Sequence, residues 1–279
     1  RGMVARMRPA LLKARALAAP LLLPSQQQEF LKILQEVEPD LVHALRIPFE
    51  GMLASVTPED IPLVLSIWGN DLTFHAKTSP LMGRQTRRAL TRADGLLADA
   101  GRDVRLASQW GLRPDVPTAV VPGNGGLDLE EINRTISLGI SHDYVLPEGR
   151  PLVVNPRGFR PGSVQQDVFF ASLPLILEEF PQAYFVCTAM QGQPQALKWV
   201  EQYHLHDHVL LLPYLDQAQL WQLFSRAQVY VSLSSHDGTP NTFLEALACG
   251  CFPVVGNIDS LREWLEPDRT GLLVDPHDP

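Results

Sequence analysis

The sequence predicts an α/β chain of two Rossmann-like domains on parallel sheets, with a cleft between them. Short, nearly continuous apolar runs such as Val229-Tyr-Val-Ser-Leu233 are the pattern of strands buried on both faces. Stretches with helical spacing alternate with them. The turn-forming run Pro122–Gly126 (PGNGG) then separates two such blocks.

In the first block, Gln26–Glu38 places Phe30, Leu31, Ile33, Leu34 and Val37 at helical spacing. Leu41–Leu45 and Leu63–Ile67 are short apolar segments. Ser79–Ala93 is a basic helix and Gly95–Ala98 a strand. Val104–Trp110 is helical, and Thr118–Val121 is the last strand of the block. After the PGNGG break, residues 126–150 are mixed and polar and read as an interdomain linker. In the second block, strands are expected at 151–154, 183–187, 208–212, 229–233, 252–255 and 271–274. Helices are expected at 164–180, 193–203, 216–226, 241–250 and 259–265. The domains are therefore 1–125 and 151–279.

The 279 residues are 45% hydrophobic and 19% charged, which excludes a disordered chain or a coiled coil. A net charge of −8 makes a general nucleic-acid binder a poor reading. The basic residues Arg1, Arg6, Arg8, Lys13 and Arg15 crowd into segment 1–24, which has no acid. That segment reads as a partly buried helix and loop, with a membrane-apposed surface as the alternative. No apolar run reaches the roughly 18 residues that span a bilayer. Cys187, Cys249 and Cys251 form no CxxC pair and read as small core residues in a reducing compartment. The expected location is cytoplasmic, with peripheral membrane contact as the alternative.

Ligands of open parallel sheets bind at the carboxyl ends of strands. Neither G-x-G-x-x-G nor a P-loop occurs there. The segment after strand 229–233 has Pro240 suited to a first helical position, Thr239 to the N-cap and Gly250 to the stop. Phe243, Leu244, Leu247 and Ala248 form the expected buried stripe. Asn241, Thr242 and Glu245 share another face near the helix start, where free N–H groups and the helix dipole suit a phosphate. Glu245 then suits ribose hydroxyls and Asp237 sugar hydroxyls. On the residues alone, a helix-start Asp and a solvated Glu are an equal alternative.

The run Asp237-Gly-Thr-Pro-Asn-Thr-Phe-Leu-Glu-Ala-Leu-Ala-Cys-Gly-Cys-Phe-Pro-Val-Val255 resembles the E-x7-E signature of the family 4 retaining glycosyltransferases, here as D-x7-E. Pro39-Asp-Leu-Val-His43, Val64–Leu72, Val121–Asp128, Leu261–Leu265 and Thr270–Val274 resemble further family segments in the same order. The resemblance implies the GT-B fold, with 1–125 a partial acceptor-side domain and 151–279 the nucleotide-sugar-binding domain. It also implies transfer of a sugar from a nucleotide sugar to a saccharide or lipid-linked acceptor, with retained anomeric configuration. Donor contacts fall on Arg160, Gly238, Thr239, Pro240, Asn241, Thr242 and Glu245. Asp237 and Arg157 serve the reacting sugar and the diphosphate. Trp68, Gly69, Asn70, Asp71, Asn124 and Gly125 line the acceptor side.

Two positions depart from the family pattern. Trp68 stands where a His is usual, and it suits core and cleft equally. The phosphate clamp has Arg157 and, in place of a Lys, Arg160; a solvated loop is the alternative for both. His204-Leu-His-Asp-His208 has metal-ligand types but falls at the far end of the sheet and reads as a solvated loop. No Asp-x-Asp occurs, so neither a metal nor a cofactor is expected. The family's opening strand and Gly-rich turn, and its closing helices, are not in the sequence, so the chain is expected to be a piece of a longer protein. The rival readings are a GT-B-like epimerase or phosphorylase, and a nucleotide-sugar-binding protein without turnover.

Overall fold

The structure, a computed structural model, describes residues 22–122, 126–139 and 144–279. Asn124, Gly125 and the basic residues of 1–21 lie outside the described residues. The described chain divides into two compact units. The first takes residues up to 122 with His236–Gly238, and the second takes the remainder from 126.

The first unit is a four-stranded parallel sheet in the order β1-β2-β3-β4. Its strands are β1 (Val42–Ala44), β2 (Leu63–Ile67), β3 (Gly95–Ala98) and β4 (Thr118–Val120). Helix α1 covers 22–37. Two short helical turns follow β1, Ile47–Gly51 and α2 (Met52–Ala54). Helix α3 (Pro80–Arg92) starts because Ser79 accepts a hydrogen bond from the Met82 N–H and Pro80 presets the first turn. It stops where Ala93 turns extended. Helix α4 (Gly101–Gln109) begins three residues earlier than the apolar spacing suggests, because its first turn buries Arg102 and Asp103. Ile47, Leu63, Leu65, Ile67, Leu90 and Leu96 form the core between sheet and helices.

The second unit is a six-stranded parallel sheet in the order β10-β9-β8-β5-β6-β7. The strands are β5 (Leu152–Asn155), β6 (Tyr184–Cys187), β7 (Val209–Leu211), β8 (Val229–Ser232), β9 (Phe252–Gly256) and β10 (Leu272–Val274). Each lies within a residue or two of its expected range. The stretch 126–150, expected as a linker, carries helix α5 (Leu129–Leu138), capped by Asp128, which accepts from the Glu130 and Glu131 N–H groups. Only Ile132 of α5 is buried, so its apolar pattern is weak. It is fixed by tertiary bonds: Gln222 of α8 (Gln217–Phe224) donates its amide to the Thr135 and Ile136 carbonyls.

Helices α6 (Gln166–Glu179), α7 (Pro194–Gln202), α9 (Asn241–Ala248) and α10 (Asp259–Arg262) complete the unit. One buried cluster gathers Phe224, Tyr230 and Phe243; another gathers Phe169, Phe170 and Phe185. Each such side chain contributes about 1.5–3 kcal/mol by transfer from water. Strands β8 and β9 converge so closely at their ends that a Cβ on Gly256 would stand 2.1 Å from the Ser234 carbonyl oxygen. Only glycine fits there.

Candidate functional site

The second sheet changes direction beside β5. From β5 the chain moves outward through β6 and β7, then returns to lay β8 on the other flank. The loops after β5 and β8 therefore diverge from adjacent strand ends, the place where open α/β sheets hold ligands.

The β5 loop is tightly built. Asn155 is buried; its side-chain amide donates to Gln166 Oε1 at 2.7 Å, and its Oδ1 accepts from the Arg157 N–H at 3.3 Å. Gln166 donates in turn to the Gly158 carbonyl at 2.7 Å. Gly158 has φ +58, and a Cβ there would press on Ala189 at 3.1 Å. This fold turns Arg157 inward to 7% exposure, and its Nη1 donates to Thr242 Oγ1 at 3.3 Å. A solvated-loop reading of Arg157 is thereby overturned. Arg160, three residues on, is exposed.

The β8 loop leads into α9 through Asp237, Gly238, Thr239 and Pro240. Asp237 is half-buried, and its Oδ1 accepts from the Gly238 N–H at 3.1 Å. The helix starts at Asn241, as the expected range 241–250 has it, one residue past the start that the Thr239 cap and Pro240 first position suggest. Pro240, with φ −65 and ψ 129, is the N-cap and Asn241 the first helical residue. Thr239 is not the cap: its Oγ1 accepts from the Trp264 indole N–H at 3.2 Å. The Phe243 and Leu244 N–H groups both donate to the Pro240 carbonyl. The N–H groups of Asn241 and Thr242 lie ahead of any intrahelical acceptor, as in every helix's first turn. Tyr230 of β8, fully buried, brings its hydroxyl within 3.3 Å of Thr242 Oγ1, so Thr242 is held from both sides.

Glu245 is 4% exposed, which overturns the solvated-helix alternative. Its Oε1 accepts from Gln217 Nε2 at 2.8 Å. The expected stripe is also corrected. Phe243, Glu245 and Ala246 are the buried residues of α9, whereas Leu244, Leu247 and Ala248 are partly exposed. The helix packs against both α8 and β9, so its polar side is covered too. Gly250, at φ +86, ends the segment.

In the first unit, Trp68–Asp71 leaves the carboxyl end of β2. Trp68 is 53% exposed, so it is no core residue. Asp71 is fully buried. It accepts from Arg46 at 2.6 Å, from the Ile47 N–H at 3.1 Å and from the Trp68 N–H at 3.3 Å. Burial pushes its carboxyl above the usual range, against the opposing pull of Arg46 and the two backbone donors. Arg102, buried and paired with Asp103 at 2.8 Å, donates to the Gly69 carbonyl at 2.7 Å. Arg46 also reaches Asn70 Oδ1 at 3.4 Å. One half-buried and one buried ion pair thus clamp the loop and leave the indole outside.

The pattern of the sequence missed Asn155, Gln166, Gln217, Tyr230, Arg46, Arg102 and Asp103. Only Asn155 carried a signal, as the residue that closes a buried strand. Among the described residues no three His, Cys, Asp or Glu side chains gather to hold a metal. His206 pairs with Glu201 at 2.9 Å, and His208 lies against Arg150 at 2.8 Å. The three cysteines are free thiols. Burial pushes Cys249 up to about 11 and Cys251 up to about 12, and Cys187 further in the same direction. No helix of the described residues is long and apolar enough to cross a membrane.

Residues 143–279 match the family model described as "Glycosyl transferases group 1". The chain is 24% identical over 212 residues to D-inositol 3-phosphate glycosyltransferase 2 of Catenulispora acidiphila, covering 72% of this chain and 48% of that protein. It spans about half the length of the curated relatives it matches. Among solved structures it resembles Anabaena HepE, determined in complex with UDP. There the TM-score is 0.70 and the identity 19%, over 88% of this chain and 68% of that one. It also resembles sucrose-phosphate synthase of Thermosynechococcus elongatus, with TM-score 0.69, identity 18%, and coverage of 92% and 65%. The fold is that of the GT-B glycosyltransferases.

Proposed function

We propose that this chain carries the donor site of a glycosyltransferase that moves a sugar from a nucleotide sugar to an acceptor hydroxyl with retention of anomeric configuration. The carrying observation is the meeting of Arg157 with Thr242 at the start of α9, where the order of the second sheet reverses. A buried guanidinium beside the free N–H groups of a helix's first turn is a cradle for a diphosphate. The match of residues 143–279 to glycosyltransferases, and the likeness to a protein determined with UDP, support the same reading.

In this reading Arg157 and the N–H groups of Asn241 and Thr242 take the diphosphate, with Arg160 as a second cation. Glu245 accepts from the ribose hydroxyls. Asp237 orients the transferred sugar, and Gly238, Thr239 and Pro240 bring the backbone close to it. Breaking the bond from the anomeric carbon to the phosphate oxygen leaves charge on the nucleoside diphosphate, which Arg157 and the helix start stabilise. The acceptor oxygen bonds to the same face of that carbon, and its proton passes to the departing phosphate oxygen. Trp68, Gly69 and Asn70 contact the saccharide or lipid-linked acceptor, and Asp71 acts by holding their loop.

The test pairs binding with product analysis. A calorimetric panel of UDP, GDP and their sugars should find one nucleotide that binds and whose affinity falls on Arg157→Ala. Proton NMR of the early transfer product should show the donor's anomer. Inversion, or a nucleotide affinity indifferent to Arg157, would overturn the reading.

A further inference from the structure

A second polar site lies within the first unit, at the opposite end of its sheet from Trp68–Asp71. A pocket of about 680 Å3 opens where α3 passes the loops that lead into β2 and β3. Its lining includes Arg87, Arg88, Arg92, Arg113, Glu59 and Asp94. Asp94 immediately precedes β3, whereas Trp68 immediately follows β2. At about 3.3 Å per residue the two ends stand roughly 15 Å apart.

The six charges divide into a neutralised floor and an unspent wall. Asp94 accepts from Arg92, from Arg113 at 3.2 Å and from the Leu63 N–H at 3.0 Å. Arg92 also donates to the carbonyls of Thr57, Pro58 and Ile61, so it is committed to holding the loop before β2. Burial raises the Asp94 carboxyl, but these donors outweigh it and hold the group below its ordinary value. Arg87 and Arg88 are exposed on α3, and no carboxylate among the described residues pairs with either. Arg87 lies over the Trp110 ring at 5.0 Å. An indole face beneath a guanidinium helps hold it in place, and the guanidinium fork suits two oxygens of one oxyanion.

We propose that the Arg87–Arg88 wall of this pocket binds a phosphoryl group, at a site separate from the donor site. Four guanidinia face two carboxylates there, in a chain whose net charge is −8, so the pocket selects an anion of about two charges. A phosphate monoester fits that charge and the bidentate geometry. A soluble phosphate ester and an anionic lipid headgroup both present it.

Trp110 supplies a local probe. Indole N–H spectra of the labelled full chain, assigned with Trp110→Phe, should show a saturable shift of the Trp110 signal on addition of inorganic phosphate. R87Q/R88Q should weaken that response about tenfold or more. R84Q removes an arginine of the same helix from outside the pocket and should leave the response intact. Sedimentation with phosphatidylcholine vesicles, with and without phosphatidic acid, identifies the source. Pelleting that depends on phosphatidic acid and on Arg87 and Arg88 marks a lipid headgroup. A phosphate response without pelleting marks a soluble ester. Neither phosphate response nor pelleting, or an equal loss in R84Q, would overturn the site. Nucleotide binding at the β5–β8 loops should be unchanged in all three variants, so the outcome is independent of the donor-site reading.

Discussion

Glu245 separates folding from binding if it is replaced in two ways. Glu245→Gln keeps the volume and keeps an oxygen that can accept from Gln217, so folding should change by less than about 1 kcal/mol. It removes the negative charge and puts donors where the ribose hydroxyls need an acceptor. A hydrogen bond to a charged group contributes about 1.5–3 kcal/mol, so the nucleotide Kd should rise about 13- to 160-fold. Glu245→Ala is a harsher change because the residue is buried. One methylene is lost, which costs about 0.8 kcal/mol, and Gln217 is exposed enough to turn its amide to water. A loss of about 1 kcal/mol lowers Tm by roughly 2–4 °C in a chain of this size. Calorimetry with UDP and GDP, beside thermal melts, measures both effects. If the Gln variant binds nucleotide like the wild type while the Ala variant merely melts lower, Glu245 is a structural carboxylate and the ribose assignment falls.

Other outcomes follow from the same geometry. Arg157→Lys keeps the charge but not the fork that reaches Thr242, and should lower turnover by about tenfold to a hundredfold while the melting temperature holds within a few degrees; equal turnover would show that a point charge suffices. Transfer by the complete protein should survive EDTA, because the cations assigned to the diphosphate are Arg157 and Arg160; activity lost in EDTA and restored by Mn2+ would refute this. Trp68→Ala should raise the acceptor KM more than it lowers nucleotide affinity, since the indole is exposed on a loop that Asp71 and Arg102 hold rigid. Asp94 has a depressed pKa, so the stability it contributes is present above the ordinary carboxylate value of about 4 and is lost as pH falls through its lower folded value. Asp94→Asn should therefore melt below the wild type at neutral pH and converge with it in acid; a constant gap across that range would refute the assignment.

The strand–helix series was legible because apolar periodicity is a local property of the chain. Leu63–Ile67 and Gly95–Ala98 occur as strands with the boundaries their composition suggests. The segment Asp237–Gly250 was legible as a turn and helix because Pro, Gly and polar residues at a helix start have local physical meaning. Helix α5 was not, since its stability comes from Gln222 and packing against α8 rather than from its own pattern. The shift of the N-cap from Thr239 to Pro240 depended on Trp264, which is distant in sequence. Likewise the sequence determined that Arg157 and Glu245 were candidates, and only the tertiary structure decided that both are buried. Thr242 and Gln217 approach them from other elements, and Gln166 fixes the Asn155–Gly158 turn that carries Arg157. Burial and pairing of a charge are set by whatever packs opposite it, and that information is distributed over the chain rather than written beside the residue.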